Sequence, residues 1–171
     1  MLASHMDAEQ RYTELRKLAL EYAQSGKAKD SLKFSLVTTQ ALKIARSWDK
    51  SPSRQVDWNW LEGYASFKFR YPKRFEVALW QSADLITLSM GRPTYNGTAL
   101  RLDFIEARPK DLGPRPSVFG EVLVAYGIYA RLLNAKQIRI MHPIDDGVKS
   151  YYSSFGYTYV PKKDYLYRDV L

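Results

Sequence analysis

A chain of 171 residues, 46% of them hydrophobic, is long enough to bury one domain core and too short to favour two. It contains no cysteine and two histidines, which excludes disulfides, thiol nucleophiles and thiolate zinc sites and makes a histidine-built metal centre unexpected. The formal net charge of +8 lies mainly in residues 1–75, and a surface of that sign attracts nucleic acid, an acidic protein or a phosphate-bearing cofactor, or simply keeps the chain in solution.

No run approaches the roughly 18 consecutive apolar residues of a membrane span, and the N-terminus lacks a secretory pattern, so a cytoplasmic protein with no membrane association is expected. The opening MLASHM (residues 1–6) reads as a cloning remnant ending at Met6, the expected native start. A helix is expected from Asp7 to about Gln24, with Leu15, Leu18, Ala19 and Tyr22 on one face and Gly26 as its stop. Ser31 to Thr38 alternates like a strand through Leu32, Phe34 and Leu36. A second helix follows, with Thr39 available as its cap and a stripe of Ala41, Leu42, Ala45 and Trp48, until DKSPSRQ breaks it.

Asp57 to about Phe69 is an aromatic-rich helical piece. Three strands come next, Arg74–Gln81, Asp84–Met90 and Thr98–Ala107, joined by the hairpin-like turns QSAD and GRPTYNG. After RPKDLGPRP, a helix from about Ser117 to Asn134 is apolar on nearly every side and must be buried. KQIRIMH is a strand, DDGVKSYYSSF a short helix with an aspartate cap, and YTYV and DYLYRDV are two last strands. The order is one N-terminal helix and then β-α-α-β-β-β-α-β-α-β-β, an α/β (α+β) chain whose mostly antiparallel mixed sheet has one parallel pair bridged by the long helix.

RPSVFG (Arg115–Gly120) opens the long helix, and DDGVKSYYSSFGY carries Tyr152, Gly156 and Tyr157 one strand later. In order and spacing these resemble the phosphate loop and the tyrosine-bearing helix of the GNAT superfamily of acyl-coenzyme A dependent N-acyltransferases. The likeness is strongest from Thr98 to Val160, weaker over 31–97, and does not include the N-terminal helix. The family's loop reads Gln/Arg-x-x-Gly-x-Gly/Ala; Arg115 and Gly120 match it, Val118 stands where a glycine is usual, and Asp145 replaces an asparagine. The implied organisation is a helical extension at 7–30 and a single GNAT-like domain at 31–171.

The resemblance implies acetyl-coenzyme A as co-substrate, bound by Ala107 and, at its phosphates, by Arg115, Ser117, Val118, Phe119 and Gly120. A helix start presents unpaired N–H groups and partial positive charge, which suits a pyrophosphate; an ordinary helix start after a proline-rich loop is the other reading. The resemblance makes Tyr152 the general acid for the leaving thiolate, whereas its place on the Val148 and Phe155 stripe fits a core tyrosine equally. Glu106, at the end of a strand, is the expected base for the amine, with His142 as rival and Asp103 on the opposite face by alternation. Asp57 and Glu62, among Trp58, Trp60 and Tyr64, are a candidate seat for a cationic amine. Lys68–Arg74 (KFRYPKR) has the mixture of cations and aromatics found on nucleic-acid surfaces. Two functions follow: direct N-acetyl transfer to a primary amine, or a non-catalytic GNAT-like basic module for nucleic acid or a protein. Oligomeric state, monomer or homodimer, is left open.

Overall fold

Alternating apolar residues build the sheet, and the burial of both its faces selects where the helices lie. The computed structural model describes residues 2–26, 31–114 and 117–171. Its strands are β1 (Leu32–Ser35), β2 (Phe75–Gln81), β3 (Asp84–Pro93), β4 (Ala99–Ala107), β5 (Gln137–Met141), β6 (Thr158–Val160) and β7 (Tyr165–Asp169). They form one sheet in the order β1-β2-β3-β4-β5-β7-β6, antiparallel throughout except for the β4–β5 pair. The helices are α1 (Leu2–Ser25), α2 (Thr39–Ser47), α3 (Trp60–Arg70), α4 (Phe119–Leu132) and α5 (Asp146–Ser153). Every strand and helix expected from the sequence is present, in the expected order.

On β2, Phe75, Val77 and Leu79 join the core formed with α1, α4 and α5, while Ala78 joins a second core with Ala41, Leu42, Trp48 and Trp60 from the α2 and α3 side. Caps fix the helix starts. Asp145 accepts a hydrogen bond from the Val148 amide at 2.8 Å, Asn59 caps α3, and Thr38 rather than Thr39 caps α2 by accepting from the Ala41 amide at 3.1 Å.

Two apolar faces differ from the pattern in the sequence. Leu18 and Tyr22 of α1 are exposed, and beside the expected Ala19 the helix buries Arg16, Leu20 and Ala23. The cause is a buried ionic cluster, which a hydrophobic stripe cannot register. Arg16 Nη2 donates to Glu9 Oε1 at 2.9 Å, and Arg16 Nη1 to the Pro72 carbonyl at 2.7 Å. Arg74 binds Glu9 Oε2 at 2.8 Å and Glu76 Oε1 at 2.9 Å. Glu76 Oε2 in turn accepts from the Val37 amide at 2.9 Å and the Tyr64 hydroxyl at 2.6 Å. Buried charges persist when paired and hydrogen-bonded in this way. Helix α4 is also not enclosed all round, since Val124 is exposed.

One irregularity sets up the site. Met90 lies opposite Phe104 but Gly91 opposite Leu102, so Asp103 is an extra residue bulging from β4. A Cβ on Gly91 would stand 1.8 Å from the Arg101 carbonyl oxygen. Only glycine lets β3 close on β4 at this point.

Candidate functional site

Strands β4 and β5 pair only from Ala99 to Leu102 and Gln137 to Ile140. Beyond that point β5 stays with β7 and β4 with β3, and the two part. A cavity of about 690 Å³ fills the gap. Phe119 and Tyr152 reach it from the α4 and α5 side, Arg54 and Trp58 from the α2 and α3 side, and Glu106 and Ala107 from the end of β4. The segment Ser53–Trp58 forms one wall, tied across to Lys110–Leu112 by hydrogen bonds from the Ser51 and Ser53 hydroxyls to Asp111.

The parting of the strands brings the expected acid and base to one cavity. Tyr152 is buried, its ring parallel to that of Phe119 at 6.3 Å, and its hydroxyl has no hydrogen-bond partner among the described residues. Burial, reinforced by Tyr151 and Tyr157, pushes the phenol above its ordinary value of 10.0. Its ring is therefore core while its residue lines the cavity. Glu106 is buried and held: Oε2 accepts from Arg54 Nε at 2.8 Å, and Oε1 accepts from Arg54 Nη2 at 3.0 Å and Trp60 Nε1 at 2.8 Å. Three of about four lone-pair positions are thus engaged, leaving one on Oε2.

Asp103 does not face away from Glu106. The bulge breaks the alternation, and both line this cavity. Burial raises the Asp103 carboxyl against the lowering effect of Arg101. His142 also lines the cavity, in a left-handed backbone conformation (φ 51°). Its ring is well exposed, with Nδ1 3.3 Å from Asp164 Oδ2. The Asp164 carboxyl is lowered by the hydrogen bond from Tyr159 and then by that from His142.

At the start of α4, Val118 occupies the cap position without a side-chain cap. The Phe119 and Gly120 amides have no hydrogen-bond partner among the described residues. Val118 has φ −119° and ψ −5°, which asks for no glycine, and its side chain is buried in the core. Gly120 has a packing reason to lack a Cβ, which would lie 3.1 Å from the Phe155 ring. Ser117 Oγ is 3.2 Å from the Tyr151 hydroxyl. Arg115, the remaining loop residue of the expected cradle, lies outside the described residues.

Arg54 was not legible as a site residue, and Trp60, part of the aromatic patch offered as an amine seat, was not legible as a partner of Glu106. One sits in the stretch that reads as a helix breaker, the other in an aromatic run, and nothing in their spacing signals a partner 52 or 46 residues away. Asp57 and Glu62 do not share a cavity: Asp57 lines this one and Glu62 an adjoining one. In Lys68–Arg74, Arg74 is consumed by Glu9 and Glu76, and Lys73 lies over the Tyr12 ring at 5.6 Å. Among the described residues no helix is long and apolar enough to cross a membrane, and no group of three or more His, Asp or Glu side chains could hold a metal ion.

No family model matches the chain, and no curated protein matches it by sequence. Solved structures do match by shape. Ard1 from Thermoplasma volcanium superposes with a TM-score of 0.60 at 13% identity, covering 82% of this chain and 99% of that one. An acetyltransferase from Thermus thermophilus gives 0.62 at 14%, covering 81% and 96%. Spermidine N-acetyltransferase from Vibrio cholerae, in complex with CoA and spermine, gives 0.60 at 12%, covering 82% and 96%. With its seven-stranded mixed sheet and parted β4 and β5, the chain shares the fold of these solved structures, the GNAT-like fold.

Proposed function

We propose that the protein is an N-acyltransferase that moves an acetyl group from acetyl-coenzyme A directly to a primary amine. The observation that carries the reading is the cavity between the parted strands, where an unpartnered phenol from one face of the sheet and a carboxylate from the other line the same space. The co-substrate fits the residues present. The unpartnered Phe119 and Gly120 amides, at the positive end of a 14-residue helix, suit a pyrophosphate, and Ala107 lines the adjoining strand end. Ser117 and Val118 precede them, Val118 contributing through its backbone alone, and Arg115 is assigned to the loop from its place in the sequence.

Acetyl-coenzyme A supplies an acetyl group activated as a thioester. In the proposed reaction the amine nitrogen bonds to the acetyl carbon as the carbon–sulfur bond breaks. Tyr152 gives its hydroxyl proton to the departing sulfur and regains one from solvent. Glu106 takes the proton lost by the amine at its remaining Oε2 position, directly or through one water. Arg54 and Trp60 hold that carboxylate in place.

Titration of the purified protein with acetyl-coenzyme A by calorimetry tests the reading. Saturable binding with a raised melting temperature is the expected result; a flat titration at millimolar ligand overturns it.

A further inference from the structure

We infer that the amine acceptor carries an anionic group of its own, with the amine received beside Asp103 and the anionic end in an adjoining cavity walled by Arg92 and Arg101. This rests on the transferase reading above and names its substrate class. The adjoining cavity, of about 510 Å³, shares Trp58, Arg101, Asp103 and Phe104 with the first. The shared residues form the wall at which the two cavities meet.

Asp103 is the acidic group on that wall. Its side chain is 8% exposed, and Oδ1 accepts from Arg101 Nε at 3.0 Å. Oδ2 is buried with no hydrogen-bond partner. An ammonium reaches that oxygen when the Asp103 side chain turns toward the cavity, and there it brings three donors. Trp58 and Phe104 meet edge to face at 5.1 Å beside it, an aromatic wall that favours a cation and the carbon chain behind it.

The adjoining cavity has the opposite demand. Arg92 stands 4.4 Å over the Tyr71 ring and, like Arg70, has no carboxylate partner among the described residues. Both line the cavity with Arg101, and besides Asp103 the only acid there among the described residues is the exposed Glu62. Counting both acids, three arginines, Arg70, Arg92 and Arg101, face the two carboxylates of Asp103 and Glu62. A diamine or polyamine would set its second ammonium against that surplus, whereas a carboxylate or phosphate would meet guanidinium donors shaped to bind it.

Calorimetric binding of the amines alone, and then acetyl transfer to them, tests the inference separately from the reading beneath it. The probes are β-alanine, 4-aminobutanoate, 6-aminohexanoate and O-phosphoethanolamine against 1,4-diaminobutane, 1,6-diaminohexane and spermidine. At least one anionic amine is expected to bind about tenfold tighter than every diamine and polyamine. Arg92→Gln should abolish that preference and raise KM for the anionic amine by about 10–100-fold with kcat little changed, and Arg92→Lys should recover part of it. Equal or tighter binding of the diamines, an Arg92→Gln protein with the preference intact, or no binding by any amine overturns the inference. Failure of acetyl-coenzyme A to bind, with the amine preference present, sinks the transferase reading instead.

Discussion

Arg54 and Glu106 face each other as a two-pronged ion pair, Nε to Oε2 at 2.8 Å and Nη2 to Oε1 at 3.0 Å, joining the loop between α2 and α3 to the end of β4. The hydrogen bond donated to Glu106, followed by that carboxylate's charge, raises the guanidinium against the lowering effect of burial. In Glu106→Gln the amide can still accept from Trp60 but cannot take up a proton. Acetyl transfer should fall by about 10²–10⁴-fold, the range for a positioned base, while calorimetry shows acetyl-coenzyme A binding unchanged. A folded Glu106→Gln protein with full turnover would remove Glu106 from the chemistry and leave it as the post to which Arg54 is tied.

Tyr152→Phe keeps the ring against Phe119 and deletes only the hydroxyl. Because that hydroxyl has no partner among the described residues, the melting temperature should hardly move. Acetyl transfer should slow by about 10²–10⁴-fold with co-substrate affinity near wild type. The phenol is held above 10.0, so it stays protonated and able to donate through neutral and mildly alkaline pH, and the wild-type rate should show no alkaline decline from Tyr152 below that value. Undiminished activity in the variant, measured under single-turnover conditions, would refute the assignment.

Val118→Gly looks from the sequence like restoration of a phosphate loop. The structure leads to the opposite expectation, because the valine side chain is 2% exposed and belongs to the core, while the amides beside it already point to the helix start. Removing it should cost about 2–3 kcal/mol of stability, from lost burial and added chain freedom. Binding of acetyl-coenzyme A should not tighten. A clear gain in affinity, with unfolding midpoints unchanged, would show that the side chain had been obstructing the loop.

Glu9 gives a pH dependence of stability. Burial tends to raise its carboxyl, but the hydrogen bond and charge of Arg74, followed by Arg16, outweigh it and leave the folded value below 4.5. A depressed acid stabilises the fold above its unfolded value and loses that contribution as pH falls through the folded one. Denaturant titrations at pH 7 and pH 3 should therefore differ more for wild type than for Glu9→Gln. Equal pH dependence in the two proteins would show that the pairing contributes nothing net.

The sheet was legible because its strands are apolar on alternate residues and its turns carry glycine and short polar residues, and the helix caps were legible from Asp145 and nearly so at Thr38. The site was legible where it follows from position along an element, as with Glu106 at a strand end and Tyr152 on the α5 stripe. It was hidden wherever one residue changes the phase. Asp103 was assigned to the wrong face because Gly91 shows no sign in the sequence of the close approach that creates the bulge. Arg16 was lost for a different reason: a buried charge interrupts the pattern by which burial is recognised. Long-range pairs such as Arg54 with Glu106 have no local signature at all.

Glu76 meets α3 through Tyr64 and the chain entering α2 through the Val37 amide, and through Arg74 it is linked to Glu9 of α1. Detaching α1 would take Glu9 from Arg74 and Arg16 from the Pro72 carbonyl, and would uncover Arg74 and Glu76 with only each other as ionic partners. The first helix is therefore not free to peel away while the sheet persists. Its inner turns should exchange their amide protons at the same slow rate as β2, the mark of segments that open together or not at all.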